Sequence, residues 1–109
     1  MKNNNCVFCK IIDREIPAEF IYEDDKLVVL QDINPSAPFH HLIVPKEHIP
    51  SVAHLQEKDR ELIADMFFAA QKDAEKAGLK GYKTIFNVGR EGGQIIDHLH
   101  LHLMGGWKN

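Results

Sequence analysis

Asp97-His98-Leu99-His100-Leu101-His102-Leu103 decides the reading of this chain. Three histidines alternate with three leucines, and residues two apart along a strand share a face. The alternation predicts a strand over residues 98–104, with Leu99, Leu101 and Leu103 buried on one side and His98, His100 and His102 lining the other. Adjacent same-face positions lie ~6.5–7 Å apart. That spacing lets one imidazole attack a centre while its neighbour holds an oxygen of the same group. Neutral imidazole is a nucleophile and a metal ligand, and it titrates near neutral pH. One Zn²⁺ held by all three histidines is a second option, which requires the rings to lean together.

Working outward, Gly89-Arg90-Glu91-Gly92-Gly93 is a glycine-rich loop just before the histidines. Its glycines free the backbone to form an anion-binding concavity, to which Gln94 adds a side-chain donor and Asn87 closes the preceding strand. Donors for non-bridging oxygens beside an in-line nucleophile suit phosphoryl or nucleotidyl transfer. The loop is neither a Walker A nor a dinucleotide fingerprint.

The rest of the chain reads as a frame for this centre. A short amphipathic helix is expected over residues 6–13, broken by Ile16-Pro17-Ala18. Residues 20–23 and 26–32 read as a hairpin around Asp24-Asp25. A third strand covers residues 40–45, ending near Pro45, and residues 51–55 read as a turn or short helix. Leu62, Ile63, Met66, Phe67, Ala70 and Ala74 recur at helical spacing and predict a long helix over residues 58–77, closed by Gly78. A fourth strand covers residues 82–88. The result is an α+β fold in one domain, residues 1–109: a five-stranded antiparallel sheet, one long helix and a short N-terminal helix. The Met66-Phe67-Phe68 stripe belongs to the core or to a dimer surface. Trp107 is a candidate cover for the site mouth or a dimer contact. His41 and His54 attract no role and read as exposed.

The 109 residues, 44% hydrophobic and 27% charged, are ordinary for a globular protein. A net charge of −3 with scattered Lys and Arg gives no basis for nucleic-acid or membrane binding. No secretory signal and no membrane span is evident, which points to the cytoplasm. Both cysteines sit in Cys6-Val7-Phe8-Cys9, too close to staple a large loop. A metal site or a redox pair is the sharper reading.

From Asn87 through Gly93-Gln94-Ile95-Ile96-Asp97-His98-Leu99-His100-Leu101-His102-Leu103-Met104-Gly105-Gly106 the chain resembles the histidine triad (HIT) family. The trailing Gly105-Gly106 is more similar to its Hint branch of nucleoside phosphoramidases than to the Fhit branch of dinucleoside polyphosphate hydrolases. Lys10-Ile11-Ile12, Glu15-Ile16-Pro17-Ala18, Tyr22-Glu23-Asp24-Asp25, Asp32-Ile33-Asn34-Pro35 and Pro45-Lys46-Glu47-His48-Ile49 extend the resemblance over nearly the whole chain.

The resemblance implies hydrolysis of purine nucleoside 5′-phosphoramidates to a nucleoside monophosphate (AMP or GMP) and an amine. His100 would form the nucleotidyl-histidine, His102 would donate at the phosphate or leaving group, and His40 would support them. Asn87 and the backbone of Gly93, Gln94 and Ile95 would hold phosphate oxygens. Asp32 would accept from the ribose, and Phe8, Ile11, Leu30 and Ile33 would form the slot for the base. No cofactor is implied for catalysis. Some bacterial members and the related galactose-1-phosphate uridylyltransferases bind zinc through a cysteine pair; by that resemblance Cys6, Cys9, His48 and His98 would hold a structural Zn²⁺. A homodimer is expected, and the long helix is a physically reasonable interface for it.

Two departures stand out. Ile95 replaces the serine or threonine usual in the family and offers only its backbone N–H. Asp97 replaces a common aromatic and is expected to raise the pKa of the nearby imidazoles. The rival readings are a dinucleoside polyphosphate hydrolase, a nucleotide-binding regulatory protein with little turnover, and a metal-storage or metal-sensing module.

Overall fold

In the computed structural model, which describes residues 5–108, the hairpin is β1 (Tyr22–Glu23) and β2 (Leu27–Gln31), followed by β3 (Phe39–Pro45). The Asp24 carboxylate accepts from the Lys26 and Leu27 N–H groups at 2.8 and 2.9 Å and shapes the turn between the first two. After α2 (Arg60–Lys76) come β4 (Tyr82–Ile85) and β5 (Leu101–Gly105). The five strands form one antiparallel sheet in the order β1-β2-β3-β5-β4. The strand carrying two of the leucines and His102 is therefore internal.

Each face of the sheet has its own cover. Leu27, Val29, Ile43, Leu99, Leu101 and Leu103 pack with Met66, Ala70 and Ala74 of α2, all nearly inaccessible. Val28, Leu30, Leu42 and Val44 face the other way and pack with Cys6, Phe8 and Cys9 of the short helix α1 (Val7–Ile12) and its cap. Covering on both sides explains why β2 reads Leu-Val-Val-Leu without alternation. In β3, Leu42 lies opposite His102 and His40 opposite Met104. His40, Leu42 and His102 thus share the α1 face, while His41 points to α2.

Differences from the expected boundaries have local causes. The last strand starts at Leu101 rather than at His98. Continuing the register would put Pro45, which has no N–H, opposite Leu99. Leu99 instead donates its N–H to the Ile49 carbonyl at 2.6 Å. The alternation of faces survives outside the ladder, with Leu99 in the α2 core and His98 and His100 buried elsewhere. Similarly, β4 stops at Ile85, opposite His102, because the chain turns away into the glycine loop. The first helix ends before Pro17: Arg14 takes φ 64° and the Glu15 N–H returns to the Lys10 carbonyl.

A 3-10 turn (Glu57–Asp59) leads into α2, and the Gly78 and Leu79 N–H groups close it on the Glu75 and Ala74 carbonyls. The Met66-Phe67-Phe68 stripe divides: Met66 is fully buried, while Phe67 and Phe68 are exposed. No helix among the described residues is long and apolar enough to cross a membrane.

Gly105 ends β5 where neighbouring chain comes close. A Cβ there would lie 3.1 Å from Leu79 Cδ1 and 3.2 Å from the Gly81 carbonyl oxygen. Gly105→Ala is expected to lower stability by about 1–3 kcal/mol in urea unfolding; an unchanged midpoint would show that the segment yields freely.

Candidate functional site

His100 and His102 lie with ring centroids 4.9 Å apart, and His102 lies 5.1 Å from His40. Their hydrogen bonds fix which nitrogen carries each proton. The His98 carbonyl can only accept, so His100 donates through Nδ1–H at 2.7 Å and keeps a lone pair on Nε2. The Ser36 N–H can only donate, so His40 accepts at Nδ1 (2.9 Å) and its ring proton sits on Nε2. That proton goes to His102 Nδ1 at 2.8 Å. The Asp32 carboxylate, 3.4 Å from the same His40 nitrogen, is too distant to compete well. His102 therefore carries its own proton on Nε2. Side by side, the two rings of the last strand present a lone pair and an N–H.

Burial keeps these rings neutral. It is the main cause that lowers the pKa of His100 and drives His102 down to about 4, with neighbouring imidazoles adding to the effect. Asp97, expected to act on the nearby imidazoles, attracts His48 and His54. Arg90 engages Asp97 through two bonds of 2.8 and 3.1 Å and lowers the carboxyl's own pKa. Paired and exposed, Asp97 is not among the main influences on the three triad rings.

The glycine loop is more self-contained than expected. Gly92 and Gly93 donate their N–H groups to the Gly89 and Arg90 carbonyls, and the Gln94 N–H returns to Gly89. Gly93 sits at φ 86°, a conformation that favours glycine. The Gln94 side chain is buried: it accepts from the Gly89 N–H and donates to the Pro50 and Ile96 carbonyls. It is a fastener, where the sequence suggested a free donor. Asn87 donates to the Gly92 carbonyl at 2.9 Å and retains a second amide proton. Among the described residues, no acceptor engages the Ile95 N–H, and the Ile95 side chain is 83% exposed.

A second cluster lies beyond Phe8. Cys6 Sγ and Cys9 Sγ approach His98 Nδ1 to 3.3 and 3.6 Å, and His48 Nδ1 lies 3.3 Å from Cys9 Sγ and 3.1 Å from His98 Nδ1. A tetrahedral Zn²⁺ with bonds of ~2.0–2.1 Å to nitrogen and ~2.3 Å to sulfur needs edges of roughly 3.3 Å (N–N) and roughly 3.5 Å (N–S). The four donors fit. His98 also donates Nε2–H to the Pro45 carbonyl at 2.8 Å, the outer contact that a metal-bound imidazole makes. Asp32, His40 and His102 also converge closely enough to hold an ion. There His40 fails the same test, because its outer nitrogen accepts from Ser36. A metal on Nε2 would strip the ring of its only proton.

Comparison with known proteins gives one answer. The model of the family described as "Scavenger mRNA decapping enzyme C-term binding" matches residues 5–108. Protein HitA of Neisseria gonorrhoeae is 46% identical over 103 residues, 94% of this chain and 96% of that protein. The chain belongs to the histidine triad family. A HIT family hydrolase from Clostridium thermocellum superposes with TM-score 0.95 at 48% identity, covering 98% of this chain and 95% of that one. A histidine triad protein from Clostridium difficile gives 0.94 at 38% identity, covering 100% and 96%.

The other candidate residues of this histidine triad protein fall as follows. Phe8 and Leu30 are buried in the α1-side core, Ile11 is half-buried beside them, and Ile33 is 91% exposed. Phe8 also packs against His98 and His100, with centroids 5.6 and 5.1 Å away. Asp32 accepts from the Asn34 N–H at one oxygen, leaving the other toward His40. His41 is not exposed: it meets Asp73 of α2 at 2.6 Å, both side chains largely buried. His54 is exposed, with Ser51 bonded to it. Trp107 is half-exposed and lies under the Lys83 ammonium. Sequence reasoning missed Ser36, Pro45 and Arg90. The first two act through backbone atoms and carry no side-chain signal; the Arg90–Asp97 pairing was open to a charge-pattern reading of the loop.

A depressed imidazole pKa has a definite sign in stability. The unfolded chain binds more protons between pH 6.5 and about 4, so His102 imposes no cost above that window and a growing one as pH falls through it. Proton NMR is expected to place the His102 midpoint near 4. A midpoint near 6.5 would contradict the half-buried, His40-bonded geometry.

Proposed function

We propose that this protein is a nucleotide hydrolase acting at the α-phosphorus, and specifically a purine nucleoside 5′-phosphoramidase. One observation carries the reading: a neutral His100 with its lone pair on Nε2 stands beside His102 with its proton on Nε2. The first attacks phosphorus; the second donates to a non-bridging oxygen as charge builds there. His100 Nε2 forms the P–N bond of a nucleotidyl-histidine while the bond to the substrate amine breaks. The electron pair leaves on that nitrogen, which takes a proton from water. A water molecule then attacks the same phosphorus, releasing the nucleoside monophosphate and restoring the imidazole. The His98 carbonyl stabilises the imidazolium character that His100 gains in the first step.

Around this step, His40 orients His102. Asn87 and the Ile95 N–H are the available loop donors for phosphate. Asp32 has acceptor capacity for ribose hydroxyls, and Phe8, Leu30, Ile11 and Ile33 supply apolar surface for a base. Cys6, Cys9, His48 and His98 would hold Zn²⁺ with four protein ligands, a closed shell suited to cross-linking the chain. Exposed Phe67 and Phe68 on α2 offer apolar surface for a homodimer. The reading places the protein in the cytoplasm.

Ile95 favours a second reading, a nucleotide-binding regulatory protein with little turnover, because the site lacks a hydroxyl at that position. A fluorogenic adenosine 5′-phosphoramidate separates the two. Wild type is expected to cleave it, and His100→Asn to lose roughly 10³-fold or more in kcat while still binding AMP. Wild type that binds AMP but turns over no faster than His100→Asn would establish the second reading instead.

Elemental analysis is expected to find one zinc per chain, lost in Cys9→Ser together with several degrees of Tm. A metal-free wild type of unchanged Tm would remove the structural zinc.

A further inference from the structure

His98 belongs to two sites at once. Its ring is pinned at both nitrogens, with Nδ1 among Cys6, Cys9 and His48 and Nε2–H on the Pro45 carbonyl. Its own carbonyl is the acceptor that holds His100 Nδ1–H. That carbonyl lies outside the β5 ladder, which begins only at Leu101; its peptide is held instead through the Leu99 N–H, which donates to the carbonyl of Ile49, the residue after His48. Phe8 makes a second connection. It sits between the two cysteines on a six-residue helix, too short to be stable alone, and its ring touches both His98 and His100.

We propose that the Cys6/Cys9/His48/His98 cluster is a positioning device for the nucleophile: a metal ion held there fixes the His98 carbonyl and the Phe8 ring, and through them the tautomer and aim of His100. The proposal rests on His100 being the nucleophile, as argued above. His98 and Phe8 are positioning residues in this account, since both act on the reaction through His100. Losing the ion would loosen α1 and the 98–100 segment together, releasing the acceptor that holds the His100 proton on Nδ1. The lone pair would then be shared between the two ring nitrogens, and only one of them faces phosphate.

The test compares Zn²⁺-loaded and metal-free protein at one fixed pH by long-range proton–nitrogen NMR of the imidazoles. Loaded wild type and His48→Cys, which keeps four ligands, are expected to show His100 only as the Nδ1–H tautomer. Metal-free wild type and His48→Ala, with dispersed amide spectra, are expected to show a tautomer mixture. Their kcat should fall by roughly 10–100-fold with KM little changed. A single Nδ1–H tautomer and full kcat in folded, metal-free protein would overturn the proposal.

Should the metal-free forms unfold, Cd²⁺-loaded protein decides. Its longer metal–ligand bonds shift His98, and the His100 Nδ1–H resonance is expected to move relative to the Zn²⁺ form; an unmoved resonance would reduce the cluster to a staple. A tautomer that follows the metal in a protein inert toward phosphoramidates would support the positioning role while removing the substrate reading.

Discussion

The constraint that organises this molecule is the two-residue period of leucine and histidine in the last strand and the segment before it. Set inside the sheet, that period divides the chain between two environments. The leucines complete the core under α2, and a one-residue shift of register would turn all three to the opposite face and bury three imidazoles among the hydrocarbon of that core. The histidines are thereby fixed on the α1 face as a consequence of packing. Chemistry is held in place here by the hydrophobic effect acting on the residues between.

Three neighbouring imidazoles would repel if charged, and the structure meets this by keeping them neutral. Burial supplies the main push. Main-chain partners then assign each proton: Pro45 to His98, the His98 carbonyl to His100, Ser36 to His40 and so, at second hand, to His102. The same logic separates metal chemistry from acid–base chemistry. His98 points a lone pair at two thiols while its outer proton is satisfied. His40 has the opposite arrangement and is suited to orienting a neighbour.

Much of this was legible in the sequence because it rests on period and spacing. The alternation at 98–103, the helical recurrence from Leu62 to Ala74 and the Cys6-x-x-Cys9 turn each have a geometric meaning that survives folding. Boundaries were less legible. The late start of β5 depends on Pro45, distant in sequence, falling opposite Leu99. The inward turn of Gln94 onto the Pro50 carbonyl depends on the path of a loop. His41 read as exposed because the pattern at 40–45 does not show that Asp73 waits across the core. In each case the deciding partner is a backbone atom or a residue brought near only by the fold.

The central proposal is geometric: His100 Nε2 would point in-line at a phosphorus atom held beside the glycine loop. A crystal structure with bound AMP tests it most directly. The account predicts phosphorus about 3–3.5 Å from that nitrogen, with His102 Nε2 on a phosphate oxygen. Phosphate lodged away from His100, or His100 turned so that Nδ1 faces it, would contradict the account.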